Sequence, residues 1–433
     1  MSLTELIEPR DIAQPTPLTY AQEPIWFLDQ LEPGGASYLI GSIHRLSGAL
    51  RISVLEGALT ELVRRHESLR TTFLSSGGKP FQEIRPPTSV SLVPEVIEGV
   101  SPQDREDALQ KRIQQLSTQS FSLTQAPLFR IALLRLGAED HVLGFFTHHI
   151  VMDGWSMGVL WKELTALYNA GVAGGSASLS PIPLQPGDFA SWQRRQWQGE
   201  RLEEELEFWR EQLAGPLPVL QLPTDRPRSA NLTSRGASHL FELPWDLFQQ
   251  FKALCQRERA SAFMGLLALY QILLHRYSGQ EDLLVGFGSA GRTRPEVEGM
   301  IGMFVNTLVL RTDLGGSPTF VEVLRRVRSV ALDVFEHQEL PFERLVQELA
   351  PHRHRTHNPF FQVAFTYLSS SGEDVRLEGL RSESIAPSVI GSKFELLLGF
   401  HEMPNRLVAA IEYNSDLYEA RSVEGMGEVI LVN

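Results

Sequence analysis

A short polar loop joins a strongly apolar run to an amphipathic segment, and this junction constrains the fold more than any other stretch. Val142 to Phe146 form the apolar run, and Ser156 to Ala170 carry apolar side chains at helical spacing. The loop between them holds two adjacent histidines, His148 and His149, followed by an acid and a glycine. The pattern predicts a strand, a tight loop and a helix, an arrangement that can hold a base rigidly at the edge of a cleft.

Helical and extended patterns alternate irregularly along the rest of the chain. Leu128 to Leu136 and His141 to His148 are extended apolar runs with a Gly-Ala-Glu-Asp turn between them, which predicts a β-hairpin. The elements form no regular βαβ series, so we expect a mixed α/β (α+β) fold. Further helices are predicted at 51–65, 102–119, 199–214, 246–257, 261–277, 318–336 and 341–348, and further strands at 39–49, 283–286, 303–312, 361–368 and 407–413.

The length and one Gly, Ser and Pro-rich stretch predict the domain organisation. A chain of 433 residues is long enough for two to three domain-sized units. The stretch 171–186 is the best boundary between lobes. We therefore expect an N-terminal tail or linker at 1–17, an N-terminal lobe at 18–180 and a C-terminal lobe at 181–433. The chain stops at 430–433 after an unfinished helical pattern, so we expect that it was excised from a longer one.

Composition excludes several classes of function. The net charge of −13 argues against nucleic acid as a partner, which would require a basic face. No apolar run reaches the roughly 18 residues of a membrane span, and residues 1–17 lack the pattern of a signal peptide. The single cysteine, Cys255, excludes an intrachain disulfide framework, and no zinc or iron–sulfur spacing occurs. We expect a cytoplasmic protein without a metal site.

Seven short motifs, in a fixed order, resemble one family. The third motif is the double histidine with Asp153 and Gly154, a pattern that is only moderately specific by itself. Together the seven resemble the condensation domains of non-ribosomal peptide synthetases, in the chloramphenicol-acetyltransferase-like superfamily. Two departures are Pro186, where the family usually has tyrosine, and His357, where arginine is usual. The motifs occupy 19–28, 65–73, 148–154, 188–192, 301–307, 337–343 and 356–360.

The resemblance implies a fold and a reaction. The fold would be two chloramphenicol-acetyltransferase-like lobes in a V-shaped pseudo-dimer with a central tunnel, with crossover segments near 286–302 and 368–392. In the reaction, the amine of an acceptor aminoacyl group attacks a donor acyl thioester. Both substrates would be carried on the phosphopantetheine arms of donor and acceptor peptidyl carrier proteins, beside a neighbouring adenylation domain. No tightly bound cofactor is implied, and the excised chain is expected to be monomeric.

The resemblance also assigns roles around the double histidine. His149 is the catalytic candidate, either as a general base or as a group that positions the amine and stabilises the charged intermediate. Adjacent strand residues point to opposite faces, so His148 is expected to support the site structurally. Asp153 could pair with His149 as in a hydrolase triad, but the family implies a structural ion pair with an arginine. Arg70 is the preferred partner, and Arg292 is the second candidate.

Other site residues follow from position within the motifs. The N–H of Gly154 lies near a helix N-terminus and is a candidate oxyanion donor, although a glycine needed only for the turn explains the residue equally well. Trp155, Ser156 and Asn306 are candidates to line the tunnel. For Asn306, a hydrogen-bonded structural amide is an equally good explanation. The basic segment 353–355 could contact an acidic carrier protein or form a solvated loop.

Several alternative functions are compatible with the sequence. Residues 27–34 and 303–307 are typical of the subtype that joins an L-donor to an L-acceptor, but Glu23-Pro24-Ile25 departs from that subtype. Proline there is more typical of starter domains, which acylate the first amino acid using a carrier or acyl-coenzyme A. A stand-alone coenzyme A-dependent acyltransferase and a non-catalytic recruitment domain are further alternatives. Recruitment domains of this fold lose the double histidine, which this chain retains.

Overall fold

The chain forms two compact units in a computed structural model, which describes residues 6–31, 34–35, 38–228, 233, 235–350, 358–369, 375–385 and 391–432. The first unit combines residues 1–197, 292–305 and 373–388. The second unit combines residues 198–291, 306–372 and 389–433. The basic segment 353–355 and the start of the seventh motif lie outside the described residues.

Helices occur along the whole described chain. In chain order they are α1 (Gln22–Leu31), α2 (Ile52–Arg65), α3 (Pro102–Thr118), α4 (Gly154–Val172), α5 (Pro186–Gln196), α6 (Gly199–Gln212), α7 (Trp245–Arg257), α8 (Ala262–Ser278), α9 (Pro295–Glu298), α10 (Phe320–Glu336), α11 (Phe342–Leu349) and α12 (Ala420–Val432). Two 3₁₀ turns span Glu67–Arg70 and His149–Val151.

Strands alternate with these helices in irregular order. They are β1 (Leu39–Gly48), β2 (Thr71–Ser76), β3 (Lys79–Ile84), β4 (Glu95–Val96), β5 (Phe129–Arg135), β6 (Asp140–His148), β7 (Gly236–Leu243), β8 (Asp282–Ser289), β9 (Asn306–Asp313), β10 (Val363–Ser369), β11 (Leu380–Ile385), β12 (Leu396–Met403) and β13 (Arg406–Asn414). The predicted mixture of helices and strands is confirmed, and the predicted hairpin is β5–β6.

The central strand of the first unit explains why its sequence is apolar without interruption. The sheet has the order β11-β1-β6-β5-β4, so β6 has a neighbour on each side. Leu143 and Phe145 belong to a core with α2 and α4, whereas Val142 and Phe146 belong to a second core with α3. Successive strand side chains point to opposite faces, and here both faces are covered. The apolar run therefore fixes β6 between two layers and delivers the double histidine at its end.

The second unit is built around a six-stranded sheet of order β7-β13-β12-β10-β8-β9. Strand β10 pairs in parallel with both β12 and β8, and the remaining pairs are antiparallel. Helix α8 packs on this sheet beside α10 and carries nine buried residues. Phe263 of α8 lies 5.3 Å from Phe287 and 5.5 Å from Phe365 between ring centroids. These aromatic contacts join the helix layer to the sheet.

The N-terminal segment differs from the expected tail. Ile7 is 6% exposed, and Thr16 forms a β-bridge with Gln82. Arg10 places Nη1 3.0 Å from Oδ1 of Asp188. This segment is therefore anchored to the first unit at Ile7, Arg10 and Thr16, although most of the other residues in 6–17 are exposed.

The first unit also extends beyond the expected boundary at residue 180. Helix α5 starts at Pro186, at the end of the stretch that predicted a linker, since proline is favoured at the first helical position. Gln185, just before it, accepts a hydrogen bond from Glu67 N at 3.1 Å and donates to Arg65 O at 3.1 Å. These contacts hold α5 on the first unit, which continues to Trp197.

Both late segments of the first unit lie near the predicted crossovers. The first of these segments spans 292–305 rather than the expected 286–302, because β8 continues to Ser289 and remains paired there with Asn306 of β9. The second segment spans 373–388 and lies within the expected range of 368–392. Its strand β11 pairs antiparallel with β1 and forms one edge of the sheet. In the described part of the chain, no helix is long and apolar enough to span a membrane.

Candidate active site

The double histidine lies where β6 ends and a 3₁₀ turn begins. His148 is the last residue of β6, and His149 is the first residue of the turn His149–Val151. The backbone N–H of His148 donates to Leu128 O at 3.0 Å, and that of His149 donates to Tyr38 O at 2.7 Å. The turn is thus tied on both sides, and α4 starts only three residues after it.

The two imidazoles have different environments. His148 is 3% exposed, and its Nδ1 accepts a hydrogen bond from Ile150 N at 3.2 Å. An imidazole that accepts at Nδ1 carries its proton on Nε2 when neutral. His149 is half-buried and is the more accessible member of the pair. This difference favours His149 for contact with substrate and His148 for support of the loop.

Asp153 is a fully buried N-cap residue. Its Oδ1 accepts from Ser156 N at 2.8 Å, which satisfies a free amide of the first turn of α4. Its Oδ2 accepts from Phe304 N at 3.0 Å. Nη2 of Arg292 lies 3.2 Å from Oδ1, with side-chain exposures of 1% for the arginine and 0% for the aspartate. Burial lowers the pKa of the Arg292 guanidinium, and the charge of Asp153 opposes that change.

The preferred assignment of Arg70 as the partner of Asp153 is wrong. Arg70 ends the 3₁₀ turn Glu67–Arg70, and its Nη1 donates to Arg85 O at 2.7 Å. Its ion pair is with Glu67, at 3.9 Å. Sequence proximity to a motif favoured Arg70, but the segment 292–305 packs against the start of α4 and supplies Arg292 instead.

Ser156 is buried, which contradicts its assignment as a tunnel-lining residue. Its side chain is 0% exposed. The hydroxyl donates to Gly302 O at 2.8 Å and accepts from Gly302 N at 3.0 Å and from Arg292 Nη2 at 2.7 Å. A hydroxyl has one donor and two acceptor positions, so all three are used. Ser156 joins the start of α4 to the segment 292–305.

Gly154 and Trp155 form the exposed start of α4. Gly154 is the first helical residue, its φ is not positive, and a Cβ added there would meet nothing within 4 Å. Neither backbone strain nor crowding therefore requires glycine at this position. Trp155 is 49% exposed, and its Nε1 donates to Glu298 O at 2.9 Å. The indole is thereby oriented while its ring surface remains accessible.

The amide of Asn306 has an internal role in the second unit. Its Nδ2 donates to Gln338 O and to Leu340 O, both at 2.8 Å. Its Oδ1 accepts from Phe342 N at 3.0 Å. The side chain holds the loop before α11, so the explanation as a structural amide accounts for it better than the tunnel-lining assignment.

Two residues that support the site, Gln22 and Glu163, were not predicted from the sequence. Nε2 of Gln22 donates to Ile150 O at 2.8 Å, within the turn that carries His149. The spacing Thr19-x-x-Gln22, which resembles a capping box, was an available signal. Glu163 of α4 accepts from Arg65 at 2.9 and 3.0 Å and lies 2.9 Å from Nε2 of His66. This network joins the second motif to α4.

Metal-based chemistry has no candidate ligand set in the described residues. Among them, no group of three His, Cys, Asp or Glu side chains is arranged to hold a metal ion. The chemistry available at this site is that of a half-buried imidazole, which precedes the N-terminus of α4 by five residues.

Comparison with known proteins places these features in one family. The condensation-domain family matches residues 12–431. One of the linear gramicidin synthase proteins of Brevibacillus parabrevis is 43% identical over 423 residues, which cover 96% of this chain but 5% of that protein. Phosphinothricin tripeptide synthetase PhsC of Streptomyces viridochromogenes is 39% identical over 96% of this chain and 38% of its own length. The chain thus spans a small part of these relatives.

Solved structures agree with this relationship. The X-domain from teicoplanin biosynthesis is 28% identical with a TM-score of 0.88, covering 99% of this chain and 96% of that one. The first condensation domain of the calcium-dependent antibiotic synthetase, at 21% identity and a TM-score of 0.82 over 98% and 96% of the two chains, shares the fold. The predicted mixed α/β fold with two chloramphenicol-acetyltransferase-like lobes is confirmed. The chain belongs to the condensation-domain family of non-ribosomal peptide synthetases, which are amide-bond-forming acyltransferases.

Proposed function

We propose that this domain condenses two thioester substrates held on separate carrier proteins, and that His149 is the catalytic residue. The acceptor amine attacks the donor carbonyl carbon, so that a C–N bond forms and the C–S bond breaks. The electron pair of the C–S bond leaves with the sulfur of the donor carrier. The amine loses one proton, which the released thiolate can finally take up. The observation that carries this proposal is that His149 is half-buried at the end of β6, whereas its neighbour His148 is buried.

The contacts of Asp153 argue against a hydrolase-type triad. Its carboxylate accepts from Ser156 N, Phe304 N and Arg292 Nη2, and among the described residues it makes no hydrogen bond with His149. A triad requires the acid to orient and stabilise the imidazolium. His149 acts without that partner, which suits a reaction in which the nucleophile is an incoming amine rather than a side chain of the enzyme.

The acceptor amine sets the demand on His149. An α-amino group has a pKa near ~8, so only a minority is neutral at pH 7. An imidazole, with a reference pKa near ~6.5, can accept the proton as the new bond forms or can orient the amine through a hydrogen bond. Both roles place the side chain within hydrogen-bond reach of the attacking nitrogen.

The start of α4 is suited to stabilise the oxyanion. Gly154 N–H is the first amide of a helix of 19 residues, where unpaired N–H groups and the helix dipole favour negative charge. The open space above Gly154 would let the thioester oxygen approach the backbone. Donors aimed at an oxyanion typically contribute about 10²–10³ in kcat.

Carrier proteins are the proposed partners. The relatives are synthetases of whose length this chain covers 5% to 38%, so it is expected to work within a larger assembly that contains carrier and adenylation domains. The substrates would arrive on phosphopantetheine arms from a donor and an acceptor carrier. A reducing cytoplasm would keep the released thiol free.

The subtype that joins an L-donor to an L-acceptor is the best supported by residues 27–34 and 303–307. A starter function is the alternative, because proline at position 24 is typical of starter domains. Such a domain would use a fatty or short acyl group on coenzyme A or a carrier. Supplying aminoacyl-carrier, acyl-carrier and acyl-coenzyme A donors in parallel separates these functions, and it also tests a stand-alone coenzyme A-dependent acyltransferase. Product from the aminoacyl-carrier donor alone would support the first subtype.

The likeness to the X-domain favours one second candidate, a recruitment domain without catalysis. That X-domain has also been solved in a complex with OxyB, at a TM-score of 0.85 to this chain. The retained double histidine argues against this candidate, and the presence or absence of amide product decides between the two.

The deciding experiment compares wild type, His149→Ala and His401→Ala. His401 is exposed on β12 of the second unit and provides a matched histidine substitution away from the site. Donor and acceptor carriers are loaded, and dipeptidyl-carrier is followed by mass spectrometry. We expect product from wild type and His401→Ala and a loss of at least about 100-fold in His149→Ala if the imidazole is a general base. Wild-type turnover by a folded His149→Ala domain would refute the assignment.

A further inference from the structure

The backbone on both sides of the His149 side chain is held by hydrogen bonds. His149 N donates to Tyr38 O at 2.7 Å, and His149 O accepts from Met152 N at 3.2 Å. The first bond ties the residue to the chain before β1, and the second closes the 3₁₀ turn. The residue itself is therefore fixed by main-chain partners that substitution does not readily remove.

The next residue, Ile150, is held instead by two side chains. Its N–H donates to Nδ1 of His148 at 3.2 Å, and its C=O accepts from Nε2 of Gln22 at 2.8 Å. Ile150 is 0% exposed, so neither backbone group can turn to bulk water for a replacement partner. The peptide units immediately after His149 thus depend on His148 and Gln22.

The orientation of the Gln22 amide is itself determined. Its Oε1 accepts from Thr19 N at 2.9 Å, and its backbone N–H lies 3.2 Å from Oγ1 of Thr19. A flipped amide would present NH₂ to the Thr19 N–H and oxygen to the Ile150 carbonyl, and both bonds would be lost. Gln22 is 3% exposed, so this polarity is fixed within the core of the first unit.

We infer that Gln22 is a positioning residue for His149, acting through the carbonyl of Ile150. This inference rests on the proposed function of His149. The side-chain hydrogen bonds of Gln22 go to Thr19 and Ile150, so it acts on the turn from which the imidazole projects. Without the amide donor, a buried carbonyl is left unpaired, and the turn must shift to expose or re-pair it.

The expected signature is a loss of rate rather than of substrate binding. A displacement of about 1 Å in a catalytic group can lower the rate by about 10²-fold. Gln22 is 3% exposed and so offers no surface to a carrier protein, and KM for both loaded carriers should stay within about twofold. We expect Gln22→Met, which keeps length but has neither donor nor acceptor oxygen, to lower kcat by about ten- to hundredfold.

A second variant, Gln22→Glu, tests the donor specifically. Glutamate keeps an oxygen for Thr19 N–H, but when ionised it presents a second oxygen to the Ile150 carbonyl. When protonated, it carries one O–H that can donate to that carbonyl. Burial opposes ionisation of a carboxyl group, which brings its protonation toward the assay range. The kcat of Gln22→Glu relative to wild type should therefore recover as pH falls from about 8 to about 6, whereas that of Gln22→Met should not.

The experiment measures kcat, KM and thermal unfolding for wild type, Gln22→Met, Gln22→Glu and a control, Gln114→Glu. Gln114 is an exposed residue of α3 and introduces the same charge outside the site. All rates are expressed per folded molecule, from the circular dichroism of each sample at the assay pH. The control should match wild type throughout.

Three outcomes overturn the inference: a wild-type kcat in folded Gln22→Met, a loss confined to KM, or no pH-dependent recovery in Gln22→Glu. If Gln22→Met does not fold, the recovery in Gln22→Glu remains decisive. His149→Ala, assayed beside these variants, separates the two levels of proposal. Full activity of His149→Ala removes the proposed function, whereas an inactive His149→Ala with a fully active Gln22→Met removes only the role of Gln22.

Discussion

Asp153 and Arg292 form an ion pair whose side chains are 0% and 1% exposed, with 3.2 Å between Oδ1 and Nη2. The two residues are 139 positions apart. Arg292 also donates to Ser156 Oγ at 2.7 Å and to Met300 O at 2.9 Å, so one guanidinium ties the start of α4 to the segment 292–305. The loop that carries His149 therefore depends on a residue far along the chain.

Removal of either member should destabilise the first unit. Breaking a buried pair leaves one charge without compensation and costs about 3–5 kcal/mol, so we expect this loss for both Arg292→Ala and Asp153→Ala. Urea unfolding followed by tryptophan fluorescence measures it. Arg70→Ala is the matched control: it loses a hydrogen bond to Arg85 O and a pair with Glu67 at 3.9 Å, for which we expect about 2 kcal/mol or less. A loss for Arg70→Ala as large as those for Arg292→Ala and Asp153→Ala would contradict the assignment of Arg292.

Gly154→Ala should separate catalysis from folding. The added methyl group meets open space, and the backbone is compatible with alanine, so stability should change by no more than about 1 kcal/mol. The methyl group would nevertheless stand where the thioester oxygen is proposed to approach. We expect a fall in kcat of about tenfold or more, measured with loaded carriers. Unchanged kcat would show that no substrate atom approaches this amide closely.

His44 should make the first unit sensitive to moderate acid. It lies in β1, with Nε2 3.1 Å from Ser42 Oγ and its ring centroid 4.6 Å from that of Trp161. Burial lowers the pKa of His44 from 6.5 to about 4. The unfolded chain therefore binds the proton first as pH falls, so the contribution is complete above about pH 6.5 and is lost progressively toward pH 4.

The integrated effect is up to about 3 kcal/mol, since each pKa unit corresponds to about 1.4 kcal/mol. His44→Gln should flatten the stability curve between pH 7 and pH 4, as measured by urea midpoints at several pH values. His401→Ala is measured beside it as a comparison, because burial also lowers the pKa of His401, although less than that of His44. If His44→Gln and wild type show the same slope in this interval, another group is responsible.

Glu163 should control stability at lower pH. Burial alone would raise the pKa of Glu163, but the hydrogen bonds from His66 and Arg65 hold it below its ordinary value. Its contribution is therefore present above the unfolded pKa of about 4.3 and is lost as pH falls through the lower folded value. In Glu163→Gln this acid-dependent loss should disappear, while stability at pH 7 should be lower than in wild type. Equal acid midpoints for the two proteins would contradict this account.

Local sequence patterns predicted the helices that bury one face against a core and the strand that is buried on both faces. The run Val142–Phe146 predicted β6, and the helix expected at 156–170 is α4, longer by a few residues at each end. The predicted helix at 318–336 is α10, which has alternating buried and exposed faces. These elements are determined by the spacing of apolar residues, which is a local property of the chain.

Contacts between distant segments were not predictable in the same way. The choice of Arg70 over Arg292 used closeness to a motif, whereas the partner of Asp153 is decided by where the chain returns after β8. Helix α5 was missed because Pro186 ended a linker-like composition, although proline also begins helices. The burial of Ser156 and Gln22 depends on packing partners more than 100 residues away. Only the fold brings these partners together.

The composition of the first unit from three stretches of chain limits how the protein can be divided or recombined. A fragment ending at Trp197 would lack β11 and Arg292, and so would leave the edge of β1 unpaired and Asp153 without its counter-charge. An exchange of sequence between relatives at that single junction would combine a histidine loop from one parent with the arginine and edge strand of another. In a chimeric synthetase, all three stretches of the first unit should therefore come from the same parent protein.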